Sequence, residues 1–271
     1  MRINAMTKTK QRMRLLRSIL NWATTKREMS ILTRFDVLRK IAVELLPEYQ
    51  FKWPQMAWWE DAGFRAYLER FGENTSCNSD RRWAVYQLLR LIKDVPGDTA
   101  ECGVYTGAMS WLICRANQNA ASERSHHLFD SFEGLSAPGT PDGSHWRSGD
   151  LSCNLERVKA NLSEFGDGLH YYPGWIPDRF AEVSGRRFAF LHIDVDLHAP
   201  TRDALNFFYP LMNPGAIVMC DDYGFTSCPG ATLAVDEVLS NKSEKMLMLP
   251  DGGGFFIKGI GMTAPAKLTD F

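Results

Sequence analysis

Four aspartates follow two apolar stretches of the sequence and offer side chains that could hold a divalent cation. Asp194 and Asp196 lie two positions apart in the run His-Ile-Asp-Val-Asp, so on one strand their side chains point to the same face. Asp221 and Asp222 come directly after the apolar stretch 216–220. Acids at the ends of apolar strands repel one another and lose solvation, and a hard cation with oxygen ligands resolves that conflict. The sequence therefore predicts a Mg²⁺ site, provided that the two segments are neighbouring strands.

A second interpretation of these acids needs no metal. Carboxylates also cap helices or pair with arginines, and Arg179 and Arg202 are candidates for such pairs. The acids by themselves do not specify which reaction a metal would assist.

A glycine-containing turn and a later acid are typical of a nucleoside-binding site. The segment Glu101–Gly107 has the pattern E-x-G-x-x-x-G, whose glycines let the backbone approach a ligand and let the next helix pack tightly. It has neither the G-x-G-x-x-G pattern of dinucleotide sites nor the lysine of a P-loop. Asp130 ends the next predicted strand, where nucleotide-binding sheets place an acid against a ribose diol. Together they favour a nucleoside-containing cofactor, with a purely structural turn and a loop cap as the alternatives.

Strands and helices alternate along residues 81–258 and must bring these side chains together. The predicted strands are Thr99–Val104, His127–Phe132, Leu169–Tyr172, Phe188–Val195, Ala216–Cys220, Lys245–Leu249 and Gly254–Lys258. The predicted helices are Arg81–Lys93, Ala108–Asn119, Ser152–Phe165, Pro177–Val183, Thr201–Leu211 and Ala231–Ser240. The almost wholly apolar fourth strand is typical of a central parallel strand covered on both faces. The alternation predicts a doubly wound α/β sheet, which binds ligands at the carboxyl ends of its strands.

A polar loop over residues 136–150 is long enough to form a lid over such a site. Its His145 could act on a substrate once a lid closes, and a surface histidine is the alternative interpretation. Trp146 and Trp175 could flank a flat substrate, or they could pack as ordinary apolar side chains.

The amino-terminal segment differs in composition from the rest of the chain. Lys and Arg far outnumber acids in the first forty residues, and apolar positions recur at helical spacing over Lys10–Thr24. The pattern predicts an amphipathic helix that caps the main domain or a second subunit, with contact to an anionic surface as the alternative. Residues 50–75 hold an aromatic cluster, which favours core or interface packing over a platform for stacking bases. We therefore expect a helical cap or arm over residues 1–75 and a homo-oligomer.

The composition is that of a globular protein and excludes several functional classes. The chain has 271 residues, 45% hydrophobic and 23% charged, with a formal net charge of -1, so it has no general attraction to nucleic acid or acidic lipid. Six scattered cysteines without a C-x-x-C pair are typical of buried thiols in a reducing compartment. No apolar run approaches the length of a membrane span, and no secretory signal pattern is present. We expect a cytoplasmic protein with a small-molecule substrate and no membrane or nucleic-acid partner.

Four motifs that occur in order along the chain resemble the macrocin O-methyltransferase family. They are Pro96–Tyr105 (PGDTAECGVY), Phe129–Leu135 (FDSFEGL), Asp194–Thr201 (DVDLHAPT) and Gly215–Tyr223 (GAIVMCDDY). The resemblance covers roughly residues 75–260 and implies an S-adenosylmethionine- and Mg²⁺-dependent enzyme that methylates sugar hydroxyls on natural products. It implies a seven-stranded, Rossmann-like class I methyltransferase sheet over residues 76–271, closed by a hairpin and preceded by the amino-terminal helical extension.

The resemblance also assigns roles to individual residues. The implied donor-binding residues are Glu101, Gly103, Val104, Tyr105, Gly107, Asp130, Ser131, Gly174, Trp175 and Asp194. The implied metal ligands are Asp194, Asp221 and Asp222. Asp196 falls on the position of a candidate general base, with Asp194 beside it. His198 is a rival base two residues further along, and a solvated loop histidine is its alternative interpretation.

Two departures from the family pattern lie close to the expected site. Thr106-Gly107-Ala108 stands where many relatives have Arg-Gly-Gly, and His198-Ala199 stands where relatives often have Tyr-Glu. The second departure lies beside the expected substrate position, so the resemblance does not carry over a particular acceptor.

The resulting hypothesis is an O-methyltransferase that acts on a hydroxyl of a sugar or of a glycosylated natural product. One alternative keeps the fold without turnover as a binding or scaffold protein, although the clustered acids would then cost stability without a cation. Another alternative is methylation of a catechol-like small molecule, whose vicinal oxygens suit the same metal site. A nicotinamide-dependent oxidoreductase shares the sheet but requires the glycine fingerprint that this sequence lacks.

Overall fold

A computed structural model of the chain describes residues 13, 16, 17, 19, 20, 31–45, 61–72, 79–250 and 252–261. The chain falls into two units, Met1–Asp61 and Ala62–Phe271, and each is described by itself. The first unit contains helix α1, Ile31–Leu45. Residues 13, 16, 17, 19 and 20 are helical, and the rest of the predicted helix Lys10–Thr24 lies outside the described residues.

The described part of the second unit is built from one sheet, flanking helices and short 3-10 turns. The strands are β1 (Asp98–Cys102), β2 (His126–Asp130), β3 (Leu169–Pro173), β4 (Phe188–Ile193), β5 (Met212–Cys220), β6 (Leu247–Met248) and β7 (Gly254–Ile257). The helices are α2 (Ala62–Phe71), α3 (Ser79–Leu89), α4 (Ala108–Asn117), α5 (Leu155–Leu162), α6 (His198–Phe208) and α7 (Pro229–Leu239). The 3-10 turns are Thr140–Asp142, Ser163–Gly168, Phe180–Val183 and Tyr209–Leu211.

The seven strands form one sheet in the order β3-β2-β1-β4-β5-β7-β6, which confirms the predicted doubly wound architecture. The first five strands along the chain pair in parallel, and β7 is antiparallel to both β5 and β6, as the predicted closing hairpin requires. The strand order reverses between β1 and β4, where Cys102 is in register with Ile193. A doubly wound sheet binds its ligand at such a reversal. The segments after β1 and β4 are therefore neighbours at the site.

The core supports the central strands from both sides of the sheet. Every residue of β4 is buried, as its continuous apolar run predicts. On one face the ring of Phe208 lies 5.1 Å from that of Phe188 and 5.0 Å from that of Phe180, both in edge-to-face contact. Buried aromatic pairs of this kind add about 0.5–1.5 kcal/mol each beyond the burial of their area. The packing holds α6 against β4 and fixes the segment that joins them.

Polar caps, which the apolar pattern does not reveal, set the start of two helices. The predicted helix Ser152–Phe165 is shorter, because the Asn154 side chain accepts an N–H of the first turn at 2.9 Å. The predicted helix Thr201–Leu211 begins three residues earlier, at His198, whose N–H donates to Asp142 Oδ1 at 2.7 Å. That capping carboxylate comes from the 136–150 loop.

The predicted helix Pro177–Val183 is wrong. The N–H of Asp178 donates to the carbonyl of Trp175 at 2.8 Å, a turn that spans three residues rather than four. The only regular element there is the 3-10 turn Phe180–Val183. A segment this short gains too few hydrogen bonds to propagate an α-helix without support from its neighbours.

Part of the aromatic-rich segment is described, and it packs into the second unit. Tyr67 on α2 is 3% exposed and its ring stacks 5.4 Å from that of Trp111 on α4. Phe64 is also buried and meets the ring of Trp83 edge-to-face at 4.9 Å. For these residues the predicted role in packing is confirmed, and Trp53, Trp58 and Trp59 lie outside the described residues. Helix α2 belongs to the second unit, and the predicted domain boundary after residue 75 stays a prediction.

The five described cysteines, at positions 102, 114, 153, 220 and 228, are free thiols and all are buried. Among the described helices, none combines the length and the apolar character needed to cross a bilayer.

Gly103, just after β1, lies close to the backbone just after β4, and it yields a test of this packing. Its φ is +85°, and a Cβ atom there would lie 1.7 Å from the carbonyl oxygen of Asp194. We expect Gly103→Ala to lower the free energy of unfolding by at least about 2 kcal/mol, because it adds both a backbone strain and a clash with rigid backbone. Urea denaturation followed by circular dichroism measures the change.

The matched control is Gly185→Ala, since no described atom lies within 4 Å of the Cβ position of Gly185. We expect its effect to stay within about 0.5 kcal/mol. Equal stability of the two variants would contradict the close approach of β1 to β4.

Candidate active site

A cavity of about 340 Å³ opens at the carboxyl ends of the parallel strands, where the sequence predicts a ligand site. Its walls come from the segments after β1 to β5 and from the start of α3. The predicted site residues that line it are Glu101, Gly103, Val104, Tyr105, Asp130, Ser131, Trp175, Asp194, Asp196, Asp221 and Asp222. Three others, Gly107, Gly174 and His198, are not among the described residues that line the cavity.

The two predicted glycines that do not line the cavity shape the backbone next to it. Gly107 is the N-cap of α4 and has a left-handed φ of 83°, so it sets where the helix starts. Gly174 donates its N–H to the carbonyl of Asp130 at 3.0 Å and thereby holds the end of β2. Both act through neighbouring backbone rather than by facing the cavity.

Asp130 lines the cavity and also fastens the turn after β1. Its Oδ2 accepts the N–H groups of Val104 at 2.6 Å and Tyr105 at 3.2 Å, while Oδ1 accepts the N–H of Phe132 at 2.7 Å. Burial raises the pKa of Asp130 above its usual value despite these bonds. An ionised carboxylate has about four acceptor positions, so a ribose hydroxyl can still bind. The sequence predicted the ligand role and missed the role in holding the turn.

Glu101 is a buried, ionised acid at the base of the cavity. It is 1% exposed and accepts a hydrogen bond from the hydroxyl of Ser110. Its carboxylate lies 3.5 Å from His126 Nε2 and 3.4 Å from His192 Nδ1. Burial alone would raise the pKa of Glu101, but the two histidines lower it to about 2. Glu101 therefore carries a negative charge beside the turn that follows β1.

His192 joins that acid to the aspartates, a role that sequence reasoning missed. Its ring is fully buried in β4, with Nδ1 3.4 Å from Glu101 Oε1 and Nε2 3.8 Å from Asp221 Oδ1. Burial alone would lower the pKa of His192, but Asp221 and Glu101 raise it to about 9. The available signal was the alternation of β4, which puts residue 192 on the same face as Asp194.

The aspartates of the predicted metal site fall into two adjoining groups. The first group consists of His192, Asp194 and Asp221, and the second of Asp196, Asp222 and Cys228. Within each group the possible ligand atoms lie within 4.8 Å of one another. Asp222, predicted to share a metal with Asp194 and Asp221, instead accepts the backbone N–H of Asp196 at 2.8 Å. The three predicted ligands are neighbours but do not form one compact trio.

An arginine partner exists for these acids, but it is not one that the sequence suggested. Arg81, at the start of α3, forms a buried ion pair with Asp221 Oδ2. The predicted candidates have other partners: Arg179 pairs with Glu182, and Arg202 pairs with Asp203. Helix α3 precedes the sheet in the chain, so no local spacing reveals this contact.

Burial and neighbouring charges drive the pKa values of the acids apart. Burial, then the charges of Asp221 and Asp222, raises the pKa of Asp194 to about 8. Burial and Asp194 raise the pKa of Asp196 to about 7, and burial and Asp196 raise the pKa of Asp222 well above its usual range. The pKa of Asp221 is shifted in the opposite direction. Burial opposes its ionisation, but His192 and the nearby arginines hold its pKa below the usual range.

The chemistry of this donor set fits a divalent cation. Asp221 Oδ1 is buried and has no hydrogen-bond partner in the described part of the chain. The raised pKa of Asp194 reflects burial first and then repulsion by the carboxylates of Asp221 and Asp222. Carboxylate oxygens are the preferred ligands of Mg²⁺ and related ions. Arg81 supplies part of the positive charge that such an ion would otherwise provide to Asp221.

Of the two predicted bases, Asp196 lines the cavity and His198 has another partner. Asp196 is 5% exposed and has a left-handed φ of 58°, a strained conformation for a residue other than glycine. The ring of His198 lies on α6, with Nε2 2.9 Å from the carboxylate of Glu237. The geometry favours Asp196 as the residue that can meet an acceptor.

The loop over residues 136–150 forms one wall of the cavity. Trp146 lines the cavity, together with Leu135 and Leu151 at the two ends of the loop. His145 packs its ring edge-to-face on Trp146 at 4.6 Å and is not among the described lining residues. The tryptophan, rather than the histidine, is therefore the loop residue positioned to contact a substrate.

The charge balance of the site predicts how stability depends on pH. Without divalent cations, we expect the free energy of unfolding to fall as the pH rises from 6.5 to 9. The folded-state pKa values of His192 (about 9) and Asp194 (about 8) exceed their unfolded values of 6.5 and 3.8. The folded chain thus holds more protons in this range, and the stability present at lower pH is lost as these groups deprotonate.

Thermal melts in EDTA at successive pH values measure this slope. Asp194→Asn removes one of the titrating groups and should flatten the slope, whereas Asp203→Asn, on the exposed side of α6, should leave it unchanged. A melting temperature that rises over the same range would show that the buried acids are compensated in some other way.

Solved O-methyltransferases share this architecture. The O-methyltransferase NovP matches with a TM-score of 0.54 and 26% sequence identity, covering 64% of this chain and 78% of that chain. The calicheamicin methyltransferase CalS11 matches with a TM-score of 0.58 and 19% identity over 96% of this chain and 95% of that chain, a likeness of fold alone. The predicted class I methyltransferase sheet, the fold of S-adenosylmethionine-dependent enzymes, is confirmed.

Sequence comparisons identify the family. A curated relative from Streptomyces olivaceus, 8-demethyl-8-(2,3-dimethoxy-alpha-L-rhamnosyl)-tetracenomycin-C 4'-O-methyltransferase, is 33% identical over an alignment of 153 residues, and the match covers 52% of this chain. The match spans 58% of the length of that relative. Residues 84–245 match the macrocin-O-methyltransferase (TylF) family, and this range is more than half of the chain. The chain therefore belongs to the macrocin O-methyltransferase family, as its four motifs predict.

Proposed function

We propose that this protein transfers a methyl group from S-adenosylmethionine to a hydroxyl of a sugar or of a glycosylated natural product. The observation that carries the proposal is a single cavity in which the donor turn after β1 and the buried acid Asp196 both take part. The named activity of the Streptomyces olivaceus relative, methylation of a rhamnosyl group, supports a sugar as the acceptor.

The donor side of the cavity offers groups for each part of S-adenosylmethionine. Val104 and Tyr105 present backbone at the turn, and Asp130 retains acceptor capacity for ribose hydroxyls. Glu101 remains ionised and so attracts the positively charged ammonium of the donor. Trp175, 40% exposed at the rim, offers an aromatic face to the adenine ring.

On the acceptor side, Asp196 is the proposed general base. Its pKa of about 7 suits a base at neutral pH, because a carboxyl group with an ordinary pKa is too weak to take a proton from an alcohol. The backbone N–H of Asp196 is held by Asp222, so the base has a fixed position beside the cavity. The apolar side chains of Trp146 and Leu151 reduce the access of water to that wall.

We further propose that Mg²⁺ is held by Asp194 and Asp221, which lie in one compact group, together with Asp222 from the adjoining group. When bound, the ion supplies positive charge that makes an acceptor hydroxyl more acidic. The residues themselves provide oxygen ligands, and the ring of His192 lies beside Asp221, with Nε2 3.8 Å from Asp221 Oδ1. Binding also offsets the repulsion that raises the pKa of Asp194 and Asp222.

Three further expectations from the sequence accompany this function. A homo-oligomer, a cytoplasmic location and a helical cap over residues 1–75 stay proposals, supported by the aromatic-rich amino-terminal segment and the reduced state of the described cysteines.

The base assignment predicts the outcome of an acceptor screen. Deoxysugar-bearing compounds are incubated with the protein, S-adenosylmethionine and Mg²⁺, and mass spectrometry detects the gain of one methylene. We expect Asp196→Asn to lower kcat by at least about 100-fold, because the reaction loses its base, while the donor product binds with unchanged affinity in calorimetry. Asp203→Asn serves as the control and should retain full activity.

The screen also separates the alternatives. Turnover of catechols but not of sugar-bearing compounds would replace the proposed acceptor class. Absence of both turnover and donor binding would favour a scaffold protein. Full activity of Asp196→Asn would contradict the assignment of Asp196 as the base.

The metal assignment gives a separate prediction. We expect EDTA to abolish methyl transfer and Mg²⁺ to restore it, and we expect Asp221→Asn to weaken metal affinity by at least about 10-fold. Electron paramagnetic resonance of bound Mn²⁺ measures that affinity without reference to activity. Undiminished Mn²⁺ binding by Asp221→Asn, or full activity in excess EDTA, would contradict the metal site.

A further inference from the structure

The loop that follows β2 is held in place at its base by its own backbone. The N–H of Leu135 donates to the carbonyl of Asp150 at 2.8 Å, and the N–H of Gly149 donates to the carbonyl of Leu135 at 2.8 Å. These two bonds close the loop into a unit with its ends together. The unit presents Trp146 to the cavity.

The same loop is docked on the helices that follow the catalytic strands. Asp142 is 3% exposed; its Oδ2 accepts the N–H of Gly139 at 2.6 Å, and its Oδ1 accepts the N–H of His198 at 2.7 Å. Gly230 on α7 permits this contact, because a Cβ atom there would lie 1.9 Å from Asp142 Oδ1. The docking point lies two residues beyond Asp196.

A buried thiol connects the wall of the cavity to the base. Cys228 is 2% exposed, its Sγ accepts the indole N–H of Trp146 at 3.3 Å, and its S–H donates to Asp196 Oδ1 at 3.4 Å. Sγ also lies 3.6 Å from the hydroxyl of Ser227, which can donate to the sulfur. An indole nitrogen only donates and an ionised carboxylate only accepts, so the thiol hydrogen pointing to Asp196 satisfies all of these contacts.

We propose that Cys228 is a positioning residue. It couples the orientation of the base Asp196 to Trp146, the side chain against which the acceptor packs. The inference rests on the proposed function, in which Asp196 takes the acceptor proton. An acceptor that fits against the indole leaves the thiol bond intact and finds the carboxylate aligned. An acceptor that displaces the indole breaks the hydrogen bond between Trp146 and Cys228. The carboxylate of Asp196 is then held less firmly.

Coupling distinguishes this proposal from a purely structural role for either side chain. Substitutions at residues that act through one chain of hydrogen bonds have effects that do not add, whereas independent packing effects do add. The double-mutant cycle of Trp146→Phe and Cys228→Ala therefore tests the connection itself. Phenylalanine retains an aromatic wall and removes only the N–H donor.

We expect Cys228→Ala to lower kcat about 10-fold with little change in the KM for the donor, since a misaligned base affects the reaction rather than donor binding. Cys228→Ser retains a donor hydrogen and should recover most of the lost kcat. Trp146→Phe should lower kcat in the native background and have no further effect in the Cys228→Ala background. Cys114→Ala, a buried thiol on α4, is the matched control and should behave as the native protein.

Melting temperature and calorimetric affinity for the donor product are measured for every variant, so that loss of folding is separated from loss of alignment. Additive effects of Trp146→Phe and Cys228→Ala, or a native kcat in Cys228→Ala, would overturn the coupling while leaving the proposed function intact. A native kcat in Asp196→Asn would overturn the base assignment and the coupling together.

Discussion

Buried negative charge at the carboxyl ends of two adjacent strands is the constraint on which the rest of the structure depends. Four aspartates follow β4 and β5, and three of them are no more than 5% exposed. Burying an uncompensated carboxylate costs several kcal/mol. The protein supplies His192 and Arg81 to Asp221, but burial and the charges of Asp221 and Asp222 raise the pKa of Asp194 to about 8, so its ionisation beside these acids is unfavourable without a further cation. The site therefore has a standing affinity for positive charge, which a divalent cation or a sulfonium donor can satisfy.

The same charges connect Glu101, on the side of the turn after β1, with the aspartates after β4 and β5. Glu101 lies on β1, Asp221 follows β5, and the ring of His192 lies between them in β4. This arrangement requires β1, β4 and β5 to be adjacent, with the close approach of Gly103 to the backbone of Asp194. The reversal of strand order is thus more than a topological feature. It brings three strands together so that one buried imidazolium can offset the charge of two acids.

Local and periodic features were predictable from the sequence, and contacts across the fold were not. The alternation of apolar strands and amphipathic helices predicted the sheet, and the acids after β4 and β5 marked its functional edge. The partner Arg81 lies 140 positions from Asp221, and no spacing rule connects them. The helix α6 begins at His198 because a carboxylate from a distant loop caps it, so its apolar period pointed to a later start. Burial and hydrogen bonding, unlike periodicity, depend on which segments meet.

Under the proposed function, the contacts of the loop over residues 136–150 bear on the choice of acceptor. If the side chains of this wall only filled space, they would select acceptors by how tightly each acceptor binds. Such selection changes the KM for the acceptor. A wall bonded through Cys228 to Asp196 makes the alignment of the base depend on the fit of the acceptor. Discrimination between acceptors then takes effect at the transition state, where binding energy raises kcat rather than only tightening the ground state. Under this proposal, variation at Trp146 is not a simple means of enlarging the cavity, because it also alters the orientation of the proposed base.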